Sequence, residues 1–445
     1  MGVINIVVDA GRDPKAAVGR IRRDPLARNS FFLMATTVLT GGLGFLFWLI
    51  VAHLYQVEAV GRATSLLSAL SLLSYLSLLG MGGSLVRHLP TTRERPEHVS
   101  SALITVGAAG LVVALVFAIV VRFTTPDLAF VSDSPLQLAI FVVLAACAAL
   151  NLLSNSVFIA LRAARYNLLV NGVLMGLAKI ALPFLFVWGG AMGIYAASGL
   201  ASLLAACASV RLISAKLRIR IRWADFRLGV IRRTFRYSAP YYAVNCLNLV
   251  PLLIIPILVL DRLGPTVAAG YFMAFQIATV INSVSFAVGE TLFAEGAHQQ
   301  EHIGALMRRS AAIIAAVTGP AVLIVVLLAG PVLAIFGPEY VSIARGTLVV
   351  LAVSSFAVAF HVWTGFLLKM VDQLAAAVWV EVVFAVATTV LAVRAAPHGP
   401  VWIGAAWGVG NLVAAAVAAV AFLVSRRARS AVVRRAAAVP SEDDL

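Results

Sequence analysis

Twelve apolar runs, each long enough to cross a bilayer as a helix, follow one another along this chain. They cover residues 30–55, 63–86, 101–121, 136–160, 167–188, 190–210, 237–260, 266–292, 310–336, 345–368, 374–393 and 401–424. A helix needs about 20 apolar residues to cross a hydrocarbon layer about 30 Å thick. With 62% hydrophobic and only 12% charged residues, the chain cannot cover a water-exposed surface. We therefore predict an all-α polytopic membrane protein.

The distribution of basic residues predicts how these spans are oriented. If the N-terminus is inside, the inside segments hold 28 of the 34 Lys and Arg residues, the outside segments hold five, and Lys179 lies within a span. Such an excess on one side is the positive-inside pattern of a multi-pass protein. We expect both termini on the cytoplasmic side of the cytoplasmic membrane. The net charge of +15 then reflects topology, and we expect no nucleic-acid partner.

A basic stretch at residues 211–236 divides the chain into two halves. It holds nine Lys and Arg residues against one acid, Asp225. We predict a cytoplasmic arm over 1–29, an N-lobe of six spans over 30–210, a basic interlobe linker over 211–236, a C-lobe of six spans over 237–424 and a cytoplasmic tail over 425–445. Within the linker, the period-two alternation of 216–222 predicts an extended connector. Residues 226–237 predict a short helix on an anionic leaflet, with Asp225 as its cap.

The two halves have the same rhythm of spans and loops. Leu54–Gly61 joins the first two spans, and Leu263–Gly270 joins the seventh and eighth in the same pattern. Two six-span halves insert with the same orientation, which is the parallel-repeat plan of a transporter with its substrate path between the repeats.

Enzyme chemistry has no sequence signal in this chain. The three cysteines, Cys147, Cys207 and Cys246, lie in apolar runs and have no disulfide or zinc spacing. No phosphate-binding lysine loop, metal-ligand spacing or nucleophile with a base is found. We expect no enzyme activity, no metal and no cofactor. The driving force would come from an H+ or Na+ gradient, the membrane potential or consumption of the product.

Ionisable residues inside spans are costly and mark candidate sites. Lys179 is the one cation deep in a span, and we predict that it contacts an anionic substrate group. Glu290, His361 and Glu381 are candidates for ion coupling. The alternative for Lys179 is a structural pair with either glutamate, or snorkelling. For His361 the alternative is a packing role with a hydrogen bond.

Polar side chains within the spans predict a wet cavity between the lobes. The candidates are Asn155, Asn171, Tyr241, Asn245, Asn248 and Gln276. Tyr241, Asn245 and Asn248 share one helical face, because they are spaced i, i+4 and i+7. The alternative is interhelical hydrogen bonding, worth about 1 kcal/mol for each bond. In the first span, the three glycines of Thr40–Gly44 predict close approach by a neighbouring helix.

Three stretches carry a resemblance to a known family. They are Thr40–Gly61, Leu79–Arg87 and Phe235–Pro240. With the twelve-span plan, they make the chain similar to the polysaccharide transporter family (Wzx-like oligosaccharide-lipid flippases) of the multidrug/oligosaccharidyl-lipid/polysaccharide (MOP) exporter superfamily. The resemblance implies a MATE-like fold. It also implies that the protein moves a polyprenyl-pyrophosphate-linked oligosaccharide, a polysaccharide precursor, to the outer leaflet by alternating access.

The resemblance also implies partners and competing functions. Membrane lipids, a polysaccharide polymerase or glycosyltransferases would be partners, and Lys179, Arg87 and Arg262 are candidate phosphate contacts by position. The alternative is an ion-coupled drug exporter of the same superfamily. Such exporters commonly use an acid in the first span, and lipid II flippases carry charge there. The first span of this chain, residues 30–55, contains no Asp, Glu, Lys or Arg. A third alternative is a membrane scaffold for envelope assembly.

Overall fold

The predicted all-α membrane architecture is confirmed by the computed structural model. It describes residues 25–296, 303–370 and 373–437, and within them it leaves out some side chains, including those of Tyr241 and Glu290. Throughout these ranges the regular structure is helical, with no strand. Among the described residues, twelve helices are long and apolar enough to cross a membrane.

The first compact unit ends at Cys246. Its helices are α1 (Pro25–Leu54), α2 (Val57–Ser77), α3 (Met81–His88), α4 (Arg95–Thr124), α5 (Pro135–Ala160), α6 (Ala164–Leu185) and α7 (Gly190–Ala215). Within α6, the stretch Leu168–Leu174 is wound as a π-helix. α5 is the central helix, since it packs against α2, α3, α4 and α7. Its start is encoded locally, because the Ser134 hydroxyl accepts a hydrogen bond from the Gln137 N–H at 3.2 Å.

The second compact unit begins at Leu247, so the boundary falls inside α8 (Leu228–Leu263). The helices that follow are α9 (Pro265–Gly296), α10 (Ile303–Leu327), α11 (Ala329–Ala334), α12 (Pro338–Met370), α13 (Leu374–Ala395) and α14 (Pro400–Ala437). α12 is the central helix of this unit and packs against α9, α10, α13 and α14. Short 3-10 turns lie at Pro126–Ser132, Val187–Gly189, Trp223–Asp225 and Ala396–His398.

The basic linker differs in part from its predicted form. Residues 218–222 lie outside any helix, as the alternation predicts. Ile219 is only 3% exposed and belongs to the core of the first unit, with Leu217 and Ile221 packed against that core. The separate surface helix predicted over 226–237 is wrong, because from Leu228 onward these residues are the first turns of α8. A continuous helix lets most backbone groups hydrogen-bond within the segment as the chain enters the membrane.

The prediction of close packing at the glycines of Thr40–Gly44 is also wrong. A Cβ added to any of these three glycines would meet nothing within 4 Å. The close approach between α1 and α6 instead uses glycines of α6. A Cβ at Gly172 would lie 3.2 Å from Leu39 Cδ2, and one at Gly176 would clash with Leu43. The leucines of α1 therefore fill hollows left by the glycines of α6.

Two of the three family-like stretches meet in the first unit. Leu79 and Gly80 both have positive φ, +47° and +75°, at the corner between α2 and α3. A Cβ on Gly80 would lie 2.8 Å from Ser238 Oγ of α8. One turn further along α8, the Tyr242 hydroxyl donates to the Leu76 carbonyl at 2.7 Å. The glycine is thus required both by the backbone conformation and by the close contact with α8.

Candidate substrate and coupling sites

Lys179 lies on α6, half-buried, against the aromatic ring of Phe47 on α1. Its Nζ atom is 6.0 Å from the ring centroid, at the limit of a cation–π contact. Within the described part of the first unit, the ammonium has no hydrogen-bond or ion-pair partner. The predicted structural pair of Lys179 with Glu290 or Glu381 involves residues of the second unit and stays a prediction. A cation on a membrane-spanning helix, with no counter-ion among the described residues of its own unit, attracts an anionic group.

A chain of asparagine amides joins α5 to the part of α6 that lies about two to three turns before Lys179. Asn151 of α5 donates to Asn171 Oδ1 at 2.9 Å, and Asn171 donates to Asn167 Oδ1 at 2.6 Å. Asn151 also contacts the sulfur of Met175 at 3.4 Å. Asn171 lies within the π-helical stretch of α6, and such irregular turns are frequent at functional sites.

Two amide oxygens of α5 have no partner in the described structure. Asn151 Oδ1 and Asn155 Oδ1 are both buried and accept no hydrogen bond. A buried acceptor without a donor costs about 1–3 kcal/mol, so a ligand hydroxyl or a water that donated to it would be favourable. These oxygens and the Lys179 ammonium give the first unit both acceptors and a cation.

In the second unit, two predicted site residues meet. Asn248 of α8 donates from Nδ2 to Glu381 Oε2 of α13 at 2.8 Å. Both residues are half-buried. The sequence assigned Asn248 to substrate binding and Glu381 to ion coupling, with no indication that they are neighbours. A carboxylate held by an amide inside a helical bundle can take up a proton or attract a cation.

His361 has the surroundings of a packing histidine. It is 5% exposed, and its Nδ1 atom is 3.0 Å from Asn411 Oδ1 on α14. The Asn411 amide donates to the Trp407 carbonyl at 2.9 Å, so its oxygen faces the histidine and Nδ1 is the donor. The Phe384 ring lies 4.9 Å away. A coupling role for His361 stays a prediction.

The remaining predicted residues take more exposed positions or lie outside these clusters. Arg262 has 61% of its side chain exposed and lies 3.3 Å from Asp261. Arg87 is exposed in the last turn of α3, and Asn245 is exposed on α8. Gln276 is half-buried on α9. The side chains of Tyr241 and Glu290 lie outside the described residues.

Sequence reasoning missed two asparagines that complete these clusters. Asn167 accepts from Asn171, and its i, i+4 spacing to that residue was a usable signal. Asn411 orients His361, and as an amide within the apolar twelfth span it could have been noticed. Which residue each one contacts depends on the packing of helices that are distant in sequence.

A family model described as "Polysaccharide biosynthesis protein" matches residues 26–293. The chain belongs to this family. The match covers the helices of the first unit and extends into α9. It therefore includes Lys179 and Asn171 on α6 and Asn248 on α8. No curated protein sequence matches the chain.

Solved transporters of the MOP superfamily share the fold of this polysaccharide biosynthesis family member. One is a multidrug resistance MATE family transporter in an inward-facing conformation, with TM-score 0.67, 16% identity, and coverage of 89% of this chain and 95% of that chain. Another is a MOP superfamily transporter from Pyrococcus furiosus, described as having a binding pocket of reverse polarity, with TM-score 0.61, 17% identity, and coverage of 92% and 97%. The chain is thus a multi-pass member of the polysaccharide biosynthesis family with the fold of MOP superfamily transporters.

Proposed function

We propose that this protein flips a polyprenyl-pyrophosphate-linked oligosaccharide across the cytoplasmic membrane. The observation that carries the proposal is the Lys179 ammonium, which has no ion-pair partner in the described part of the first unit, together with the buried amide acceptors of α5 in the same unit of a polysaccharide biosynthesis family member. A diphosphate offers the opposite charge, and a sugar offers hydroxyl donors. A lipid-linked oligosaccharide therefore matches both the cation and the hydrogen-bond acceptors of the first unit.

The roles of the residues follow from their chemistry. Lys179 binds the diphosphate, while the free acceptors of Asn151 and Asn155 take hydrogen bonds from sugar hydroxyls. The polyprenyl chain stays in the bilayer, where it needs no polar partner. Glu381 couples the cycle to an H+ or Na+ gradient through a change in its charge. Both termini are cytoplasmic in this proposal, with glycosyltransferases supplying the substrate and a polymerase consuming the product.

Reconstitution tests the proposed function directly. The purified protein would be placed in proteoliposomes with a fluorescent polyprenyl-pyrophosphate-linked sugar, and a membrane-impermeant quencher would report the leaflet of the label. We expect label movement that requires the protein, and slower movement for a phospholipid with the same fluorophore. Equal rates for the two lipids would contradict a specific flippase.

A second candidate is an ion-coupled exporter of small amphipathic compounds, favoured by the Asn248–Glu381 pair. It predicts drug resistance on overexpression, lost in a Glu381→Gln variant, with no movement of the lipid-linked sugar. A membrane scaffold for envelope assembly would retain its function in the combined Lys179→Ala and Glu381→Gln variant. Drug resistance that depends on Glu381 would favour the exporter, and function retained in the combined variant would favour the scaffold. Neither outcome is expected of the flippase.

A further inference from the structure

The connector between α7 and α8 presents a row of unpaired basic side chains on a fixed backbone. We name Lys216, Arg218, Arg220 and Arg222 the basic strip. All four are exposed, and within the described residues their side chains have no hydrogen-bond or ion-pair partner. The alternating apolar side chains point the other way into the core of the first unit. The strip is therefore held in place while its charges remain available.

Backbone contacts fix the strip against the beginning of α4. The Arg222 N–H donates to Ser100 Oγ at 3.2 Å, and the Arg227 N–H donates to Ser101 Oγ at 2.8 Å. The Arg227 side chain lies 3.7 Å from Glu97. Because α4 and α7 are both long and apolar enough to span the membrane, a segment joined to their ends is expected at the membrane surface.

Large apolar side chains continue the exposed surface directly after the strip. Trp223 is 80% exposed, Leu228 is 70% exposed and Phe226 is 37% exposed. Exposed apolar groups next to arginines are unfavourable in water and suited to the bilayer interface, where aromatic rings lie at headgroup level. Nucleic acid or an acidic protein would explain the charges but would leave the neighbouring apolar groups unexplained.

We infer that the basic strip and Trp223 together bind the phosphate groups of anionic phospholipids at the membrane surface. The arginines contact headgroup phosphates, and Trp223 inserts between headgroups beside them. A basic residue near an anionic membrane accounts for about a five-fold preference for that surface, or about 100-fold for three residues. This inference is independent of which substrate the protein moves.

Hydrogen–deuterium exchange in nanodiscs tests the inference. The full-length protein would be placed in nanodiscs of phosphatidylcholine alone or with phosphatidylglycerol, and exchange would be followed over residues 216–228. We expect several-fold slower exchange in the anionic nanodiscs. The difference should disappear in the triple variant Arg218→Gln, Arg220→Gln, Arg222→Gln and largely remain when the three are changed to Lys.

Matched controls keep the test specific. The triple variant Arg122→Gln, Arg345→Gln, Arg394→Gln removes the same charge from three exposed positions on α4, α12 and α13, and it should keep the lipid-dependent protection. Trp223→Ala should reduce that protection in part. Free pyrophosphate should not reproduce it in neutral nanodiscs. Equal exchange of the wild type in both nanodiscs, or full protection in the glutamine variant of the strip, would overturn the inference.

Discussion

The hydrogen bond between Asn248 and Glu381 gives the most quantitative prediction. Replacing Asn248 by Leu keeps a similar volume but removes the donor that lies 2.8 Å from the carboxylate. Hydrogen bonds to charged groups contribute about 1.5–3 kcal/mol, and half-burial places this one near 2 kcal/mol. For a cooperative unit of about 200 residues, this loss lowers Tm by about 4–8 °C. Thermal unfolding of the purified protein, followed by size-exclusion chromatography with fluorescence detection, measures the shift.

Two further variants isolate the contribution of the hydrogen bond. Asn245→Leu makes the same substitution at an exposed position on the same helix and should change Tm little. The double variant Asn248→Leu, Glu381→Leu removes both partners, so it should be more stable than Asn248→Leu alone. Equal losses for Asn248→Leu and Asn245→Leu would refute the reasoning, and so would additive losses in the double variant.

Two further predictions concern contacts between helices of the first unit. Gly176→Val places a side chain against Leu43, and overpacking of this kind costs about 1–3 kcal/mol; Gly42→Val, with open space around it, is the matched control. A lower Tm for Gly176→Val alone supports the α1–α6 contact, and equal Tm values count against it. Tyr242→Phe removes the bond to the Leu76 carbonyl and should cost about 1 kcal/mol, measured in the same assay. A Tm equal to that of the wild type would contradict this role.

The helical architecture could be predicted because the length of each apolar run can be counted directly from the local sequence. Twelve apolar runs predicted twelve candidate spans, and the described part of the structure has twelve helices that are long and apolar enough to span. The alternation at 216–222 likewise predicted a non-helical connector with one buried apolar face, and residues 218–222 lie outside any helix. The end of the linker was misjudged because an amphipathic surface helix and the first turns of a membrane helix have similar patterns.

Contacts between helices could be predicted far less well. Glycines mark close approach, but both α1 and α6 carry glycines, and the sequence could not show that those of α6 make the contact. Asn171 and Glu381 were recognised as polar residues in apolar spans. Their partners, Asn151 and Asn248, are fixed by helix packing across 20 and 133 residues of chain, which no local pattern encodes.

The flipping rate of a Lys179 series is the most direct test of the proposed function. Proteoliposomes would carry the wild type, Lys179→Ala, Lys179→Arg or the control Arg394→Ala, each first shown to be folded by its Tm. Losing a charge-assisted contact of at least about 1.4 kcal/mol should slow movement of the pyrophosphate-linked sugar about ten-fold or more in Lys179→Ala. Lys179→Arg should retain most of the rate, and Arg394→Ala all of it. Normal flipping by folded Lys179→Ala would contradict the proposal that this ammonium binds the substrate phosphate.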